Sequence, residues 1–338
     1  MEVSSTAIAV TESSQAGHAR RTAAALAARL GFKEEAQGKV ALVVSEAAKN
    51  LIAHARDGLI LLRALHAAGP HVGVEMLALD KGPGMADVDR CLRDGFSTGG
   101  TSGVGLGAMR RMSDLFDIHS VPGVGTAVVA QLWADKPPPA SRTTVGAVCV
   151  PMPGEEVCGD SWAVDHKADR CIFLVADGLG HGPEAARASR AAVVSFLEQG
   201  SNGLVELLRG AHQELRSTRG AAVSFASVEG AQLHYAGVGN ISGAVVSPAG
   251  VVQRLVSMNG TLGHQAPRMQ QFSYPWNAGD TLVLCSDGLA TQWRLEPYPG
   301  LLSRHPSLVA GVLYRDFVRG RDDATVLVAR EVPRGEPR

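Results

Sequence analysis

The sequence predicts an α+β fold of two domains: a first domain of helices over a mixed sheet, and a second, strand-rich sandwich with helices outside. The chain has 338 residues, 45% of them hydrophobic, which is about twice a typical domain and enough for two cores. The segment ADKPPPASR at 134–142 interrupts the apolar runs, and consecutive prolines favour an extended spacer. We therefore predict domains at 1–134 and 143–332, joined by a linker at 135–142.

The first domain is predicted from two helical stretches followed by strand-like runs. Apolar residues recur at helical spacing over 17–30 and 34–56. Strand-like runs then follow in VGVEMLALD, FDIHSVPG and TAVVAQLWA, with a glycine-rich loop after the first. The second helix has an expected core-facing stripe, formed by Val40, Val43, Val44, Ala47, Leu51 and Ile52. This order predicts helices on one face of a mixed sheet.

The second domain is predicted from short apolar runs that alternate with turn residues. The runs are RCIFLVAD, AVSFASVEG, AQLHYAGVG, ISGAVVSP, GDTLVLCSDG and DATVLVAR. Helical spacing is found near 183–198 and 202–216. The pattern indicates a sandwich of sheets with the two helices packed outside.

Charge and composition exclude several classes of partner. The formal net charge is −1 and no basic cluster occurs, so no nucleic-acid partner is expected. The N-terminus lacks the pattern of a signal peptide, and no apolar run approaches the roughly 18 residues of a membrane span. The 5 cysteines include no Cys-x-x-Cys pair, which indicates buried, reduced thiols. We expect a cytoplasmic protein without a membrane partner.

Glu46 and Asn50 are the first candidate site residues. They lie four apart in KVALVVSEAAKNLIAHA, so on a helix both project from one face. Next to a phosphate, the amide oxygen is suited to ligate Mg²⁺ and the carboxylate to polarise a water or hydroxyl.

A second set of candidates surrounds the glycine-rich loop. Asp80 closes an apolar strand, where its carboxylate is placed to accept from an exocyclic amine such as that of adenine. Gly82 and Gly84 allow the next turn to approach a ligand closely. Five more glycines precede the helical AMRRMSDLF, an arrangement of backbone donors and helix dipole that binds phosphate: Gly99, Gly100, Gly103, Gly105 and Gly107. Gly125 and Thr126 follow on a later strand.

These residues resemble, over about 5–133, the N, G1 and G2 boxes of the GHKL family of ATP-binding domains, and most closely its anti-sigma and stressosome switch kinases. The resemblance implies a Bergerat-type α/β sandwich with ATP, Asn50 on Mg²⁺, Asp80 on adenine and Glu46 as the base. The other implied nucleotide contacts are Gly82, Gly84, Gly99, Gly100, Thr101, Gly103, Gly105, Gly107 and Thr126. The implied target is a serine or threonine of a STAS-domain antagonist protein, and a homodimer is also compatible with the resemblance.

The C-terminal half has an ordered set of aspartates at the ends of apolar strands. They are Asp160, Asp177, Asp287 and the pair Asp322-Asp323. Carboxylates that converge repel one another, and divalent cations relieve that repulsion. Oxygen ligands favour Mg²⁺ or Mn²⁺ over zinc. The spacing leaves open whether Asp322 or Asp323 is the ligand.

This half resembles, over about 143–331, the PPM-type phosphatases of the SpoIIE class, with AGVGN at 236–240 similar to the RsbX branch. The resemblance implies an α-β-β-α sandwich that binds two Mn²⁺ or Mg²⁺ ions. Its implied ligands are Asp177 bridging the two metals, the Gly178 carbonyl, Asp287 and Asp322, with Asp160 binding directly or through water. Two alternatives stay open for His181, a substrate contact or an exposed side chain, and Gly239 and Asn240 are candidates for the rim of the site.

Together the two resemblances predict a bifunctional switch. Its kinase and phosphatase would act on STAS-domain proteins in a stressosome or partner-switching pathway that controls a sigma factor or another output. The alternative is that the first domain is a nucleotide-dependent binding module, which sequesters a partner or gates the phosphatase.

Overall fold

The computed structural model describes residues 4–67, 69–93, 105–166, 170–199, 203–266 and 268–331. The predicted α+β fold with two domains is confirmed, and the described residues form three five-stranded sheets. Across these ranges, no helix is long and apolar enough to cross a membrane.

The first sheet has the strand order β1-β2-β3-β5-β4. Its strands are β1 Thr6–Ala9, β2 Leu59–His66, β3 Val72–Leu79, β4 Leu115–Val121 and β5 Gly125–Trp133. The helices of this half are α1 Ser13–Arg29, α2 Glu34–His54, the short α3 Val88–Cys91 and α4 Gly105–Met112. The expectation of a mixed sheet is wrong, because every strand pair in it is antiparallel. Although β3 and β4 run parallel, β5 lies between them.

Helix α2 buries the predicted stripe against the first sheet. Val40, Val43, Val44 and Leu51 are at most 5% exposed, and they pack in one core with α1 and the sheet. Ile52 was expected in this stripe, but it is 37% exposed. One residue beyond Leu51, it lies roughly 100° around the helix from the buried face.

The second and third sheets stack face to face. The second has the order β13-β10-β9-β8-β7 and the third has the order β12-β11-β14-β15-β6. Their strands are β6 Thr143–Val150, β7 Asp160–His166, β8 Cys171–Gly178, β9 Ala221–Glu229, β10 Gln232–Val238, β11 Ser242–Val246, β12 Val252–Leu255, β13 Phe272–Pro275, β14 Thr281–Cys285 and β15 Ala324–Glu331. Outside the second sheet lie α5 Gly182–Gln199 and α6 Leu204–Glu214, near the two predicted helical stretches.

Helix α7, Pro306–Phe317, lies between the first and third sheets. Its apolar residues pack with residues of both sheets in one cluster, called the shared core below: Leu61, Leu77, Leu79 and Val129 of the first sheet, Leu308, Val309, Val312 and Leu313 of α7, and Val148, Val326 and Val328 of the third sheet. All are at most 2% exposed. The two halves are therefore joined by buried apolar surface as well as by residues 134–142, which form no helix or strand.

A buried ion pair adds polar contacts across the same interface. Arg63 Nη2 donates to Glu75 Oε1 at 2.6 Å, and the two side chains are 7% and 1% exposed. The other oxygen of Glu75 accepts from Gln131 Nε2 and from the hydroxyl of Ser307 on α7, each at 2.7 Å. The Arg63 guanidinium lies 5.2 Å from the ring centroid of Trp162 on β7. Of these contacts, the hydrogen bond from Ser307 joins α7 to the first sheet, and it helps to compensate the buried charge of Glu75.

Candidate nucleotide and metal sites

Glu46 and Asn50 lie on one face of α2, beside the start of α4. A Cβ added at Gly105 would lie 3.2 Å from Glu46 Oε2 and 3.4 Å from Asn50 Oδ1. Glycine at this position leaves a cradle in which a carboxylate, an amide and the N-terminus of α4 face the same space. Such a cradle fits the phosphates and cation of a nucleotide.

Lys49 forms an ion pair with the candidate base. Its Nζ lies 2.7 Å from Glu46 Oε1, and the Glu46 side chain is 25% exposed. Glu46 therefore has one oxygen bound to an ammonium group and the other directed toward Gly105.

Asp80 follows the last residue of β3, where its backbone and side chain are held by hydrogen bonds. Its N–H donates to the Thr126 carbonyl at 2.9 Å, and its Oδ1 accepts from the Gly82 N–H at 2.7 Å. Burial raises the pKa of Asp80, and the Gly82 and Thr126 backbone bonds and the nearby Arg315 oppose that rise. The Thr126 hydroxyl is hydrogen-bonded to Ser120 Oγ at 2.9 Å. The carboxylate is therefore held, half-buried, at the end of an interior strand of the first sheet.

The glycine positions of this site are only partly described. Gly84 has φ +68°, and a Cβ there would lie 2.2 Å from the Val121 carbonyl oxygen, so glycine is required. Gly105 begins α4 and Gly107 is buried within it. The remaining candidates lie outside the described residues: Gly99, Gly100, Thr101 and Gly103.

The second site is formed where the ends of four strands, two from the second sheet and two from the third, lie together. Asp160 begins β7 directly opposite Asp177 near the end of β8. Asp287 follows β14, and Asp322 and Asp323 precede β15. The structure thus brings all five acidic candidates into one region, and they perturb one another electrostatically.

Asp160 is the most telling member of the cluster. It is 2% exposed, and within the described part of the chain neither of its carboxylate oxygens meets the geometry of a hydrogen bond, although the hydroxyls of Ser286 and Thr325 are near enough to oppose the rise in its pKa. Burial, followed by repulsion from Asp323 and Asp287, raises its pKa to about 7. Burial and the other four aspartates also raise the pKa of Asp177. Uncompensated buried carboxylates fit a bound divalent cation, the group that relieves their repulsion.

The carboxylates face this region without forming a ready-made coordination sphere. Among the residues that the structure describes, no three of these side chains are close enough to share one ion. Asp322 lines the open cleft with Asp177 and Asp287. Asp323 is 2% exposed, and its Oδ1 accepts from the Met152 N–H at 2.9 Å. Asp322 is therefore the member of the pair that an ion in the cleft would meet.

A cleft of about 480 Å³ opens over these aspartates. Gly239 and Asn240 line it, and Asn240 Nδ2 donates to Asp287 Oδ2 at 2.6 Å. His181 directly precedes the first residue of α5, and its Nδ1 lies 2.7 Å from Glu155 Oε1. The His181 side chain is 52% exposed, so its two sequence alternatives are equally compatible with the structure.

Two arginines beside the aspartate cluster were not predicted from the sequence. Arg319 and Arg321 line a second hollow of about 290 Å³ together with Asp287 and Asp322. Both are exposed, and Arg319 lowers the otherwise raised pKa of Asp287. The signal was present in RGRDD, where basic residues immediately precede an acidic pair at a strand start. These cations are placed to meet an anion that approaches the cluster.

Comparisons with known proteins match the two halves separately. Residues 9–132 match the histidine kinase-like ATPase domain family, and residues 167–331 match the family of stage II sporulation protein E, SpoIIE. The chain is 36% identical over 115 residues to the serine/threonine-protein kinase RsbT of Bacillus subtilis (strain 168), which covers 34% of this chain and 86% of that protein. It is 30% identical over 125 residues to the anti-sigma F factor of Thermoanaerobacter sp. (strain X514), covering 35% of this chain and 85% of that protein.

Solved structures also resemble part of the chain. One, described as "The bacterial stressosome: a modular system that has been adapted to control secondary messenger signaling", has a TM-score of 0.52 and 30% identity, over 56% of this chain and 100% of that chain. The crystal structure of RsbX in complex with magnesium has a TM-score of 0.50 and 21% identity, over 58% of this chain and 98% of that chain, and shows a shared fold. The chain is therefore an enzyme that belongs to the family of the serine/threonine-protein kinase RsbT through its N-terminal domain, and its C-terminal half carries a domain that matches the SpoIIE family.

Proposed function

We propose that this protein is a bifunctional switch that phosphorylates and dephosphorylates serine or threonine residues of STAS-domain antagonist proteins. The observation that carries the proposal is the buried Asp160 carboxylate, which makes no well-formed hydrogen bond within the described residues and lies among four further aspartates. A chain whose kinase-family half is joined to such a cluster has sites for both directions of phosphate transfer. Its two domains span 1–134 and 143–332, and its output is control of a sigma factor or another target.

In the kinase reaction, the residues around Gly105 bind and orient the nucleotide. Asn50 holds the Mg²⁺ that accompanies ATP, and Asp80 accepts from the adenine amine. Bound Mg²⁺ neutralises charge on the transferring phosphate. Glu46 orients the attacking hydroxyl and accepts its proton through the oxygen directed at Gly105. The glycine loop, with Gly99, Gly100, Thr101, Gly103 and Gly107, supplies backbone donors to the phosphates.

In the phosphatase reaction, the aspartate cluster holds two Mg²⁺ or Mn²⁺ ions. The residues that would hold them are Asp177, the Gly178 carbonyl, Asp287 and Asp322, and Asp160 would bind an ion directly or through water. The bound ions supply Lewis acidity and a water of lowered pKa. Arg319 and Arg321 bind the phosphate oxygens of the incoming phosphoserine or phosphothreonine. Asn240 keeps Asp287 oriented through its 2.6 Å hydrogen bond.

Two single-site variants test the two activities separately. With a ³²P-labelled phospho-STAS protein and Mn²⁺, Asp177→Asn should lose at least about a hundredfold in phosphate release, while its phosphorylation of the unlabelled protein persists. Glu46→Gln should show the reverse pattern. Equal phosphate release by wild type and Asp177→Asn would contradict the phosphatase assignment.

A second candidate function is a nucleotide-dependent binding module in the N-terminal half. The ion pair between Lys49 and Glu46 favours it, because an ammonium group at 2.7 Å competes with a substrate hydroxyl for the candidate base. Under this alternative, Glu46→Gln would bind the STAS protein in the presence of ATP as tightly as wild type does, and neither protein would phosphorylate it. Labelled product from wild type alone would exclude the module.

A further inference from the structure

One arginine of the C-terminal half contacts the backbone of Asp80, the candidate adenine-binding residue. Arg315 lies in the last turn of α7, and its side chain is 5% exposed. Its Nη1 donates to the backbone carbonyl of Asp80 at 2.6 Å. Its Nε and Nη2 are held by the Asp316 carboxylate, with the Nη2 contact at 2.6 Å. The guanidinium is thus fixed on one side by its own helix and bound on the other side to the strand end that carries Asp80.

The contact depends on a glycine. Gly125 has φ +127°, and a Cβ there would lie 2.1 Å from the Asp80 carbonyl oxygen and 3.0 Å from Arg315 Nη1. No other residue leaves room for both atoms. Since the N–H of Asp80 is held by Thr126, its peptide groups are fixed on one side by the first sheet and on the other by α7.

The chain at and just beyond the C-terminal end of the same helix is hydrogen-bonded to the loop that follows Asp287. One turn beyond Arg315, the Arg319 N–H donates to the Gly288 carbonyl at 2.8 Å, and the Ala290 N–H donates to the Phe317 carbonyl at 2.9 Å. Gly288 directly follows Asp287, and Asp322 lies three residues after Arg319. A displacement at the end of α7 therefore acts on both segments that carry Asp287 and Asp322.

We propose that Arg315 is a positioning residue for the nucleotide site and that α7 couples nucleotide binding to metal binding at Asp287 and Asp322. The proposal rests on the function proposed above, because it takes both sites to be occupied as described there. Both contacts of α7 are made in the same structure, so the arrangement that orders Asp80 is also the one that orders the metal segments. A nucleotide that holds Asp80 in this arrangement would also hold the segments of Asp287 and Asp322 in it, so we expect positive coupling, and by thermodynamic reciprocity each ligand should tighten binding of the other.

The test measures binding rather than turnover. In the intact wild-type chain, saturating adenosine, which carries the adenine ring without chelating phosphates, should tighten Mn²⁺ binding about fivefold in titration calorimetry. Arg315→Met should weaken binding of Mg²⁺ and a non-hydrolysable ATP analogue about tenfold and abolish the effect of adenosine on Mn²⁺. Arg315→Lys, which keeps a donor, should retain part of both effects.

Arg304→Met provides a matched control. Arg304 also joins the halves, through Asp117 Oδ1 at 3.3 Å, but it has no contact with Asp80 among those described. This variant should bind both ligands as wild type does. Wild-type nucleotide affinity in Arg315→Met would overturn the positioning role of Arg315. Mn²⁺ binding that adenosine leaves unchanged in wild type would overturn the coupling. Either result would leave the function proposed above standing. Failure of the wild-type chain to bind the ATP analogue at all would overturn the nucleotide site and the positioning role with it.

Discussion

Replacement of Arg63 by methionine should destabilise the whole chain rather than one half of it. The substitution leaves Glu75 buried, at 1% exposure, with only the Gln131 amide and the Ser307 hydroxyl as donors. Breaking a buried ion pair from one side costs about 3–5 kcal/mol, and the lost contact with Trp162 adds about 0.5–1 kcal/mol. We therefore expect the free energy of unfolding to fall by about 4 kcal/mol, a large fraction of the roughly 5–15 kcal/mol typical of a folded protein.

Urea unfolding followed by far-UV circular dichroism measures this loss. Replacing both partners, with Arg63→Met and Glu75→Leu together, should cost less than Arg63→Met alone, because no unpaired charge is then buried. Since the shared core joins the halves, we also expect one unfolding transition in the wild type. A loss under about 1 kcal/mol in Arg63→Met, or two separate transitions in wild type, would refute the reasoning.

Three further predictions follow from single contacts. Asp160→Asn should raise the stability of the metal-free protein at about pH 8 by at least ~1 kcal/mol and abolish most of the stabilisation by Mn²⁺, measured as thermal shifts with EDTA or Mn²⁺; unchanged Mn²⁺ stabilisation would contradict it. In EDTA, wild-type stability should rise as pH falls from about 8 to about 6. The pKa of Asp160 is raised to about 7 in the folded protein, so the folded state binds more protons than the unfolded state over this window. A fall in stability as pH falls from about 8 to about 6 would contradict this prediction. Gly146→Ala should lower the free energy of unfolding by about 2–4 kcal/mol, because its Cβ would lie 2.0 Å from the Ser307 nitrogen. Gly38→Ala, whose Cβ would have nothing within 4 Å, should raise the free energy of unfolding by about 0.5–1 kcal/mol. Equal effects of the two substitutions in urea unfolding would refute this prediction.

The strands and helices with clear periodicity could be predicted from the sequence. The stripe on α2 and the run VGVEMLALD each follow the period of one element, so local pattern is enough to locate them. The pairing of β3 with β5 could not be predicted in the same way. Neighbours in a sheet are fixed by contacts between distant segments, and the sequence order β3, β4, β5 gives no sign that β5 lies between the other two.

Helix α7 was missed, and with it the contacts between the halves. Its residues PSLVAGVLYRDF are apolar nearly all around, because sheets cover it on two sides, so it lacks the amphipathic stripe by which helices are recognised. The proline at its first turn was the available signal. The roles of Arg315 and Ser307 could not be predicted from the sequence either, because their partners Asp80 and Glu75 are more than two hundred residues away.

The convergence of the candidate metal residues, in contrast, could be predicted from the sequence. Each aspartate stands at a strand end, and strand ends of stacked sheets meet, so their convergence follows from the pattern. What the sequence could not distinguish was the orientation of Asp322 and Asp323, because adjacent residues at a strand start point to opposite sides and only packing decides which side holds the cleft.

The most direct test of a chain that both adds and removes phosphate is a time course of labelled phosphate on one STAS-domain protein. The purified chain is incubated with [γ-³²P]ATP, Mg²⁺ and Mn²⁺, and wild type is compared with Asp177→Asn and with Glu46→Gln. Label should accumulate on the STAS protein with Asp177→Asn, stay low with wild type, and be absent with Glu46→Gln. Equal label with wild type and Asp177→Asn, or none with either despite measured ATP binding, would contradict the proposed pair of opposed activities.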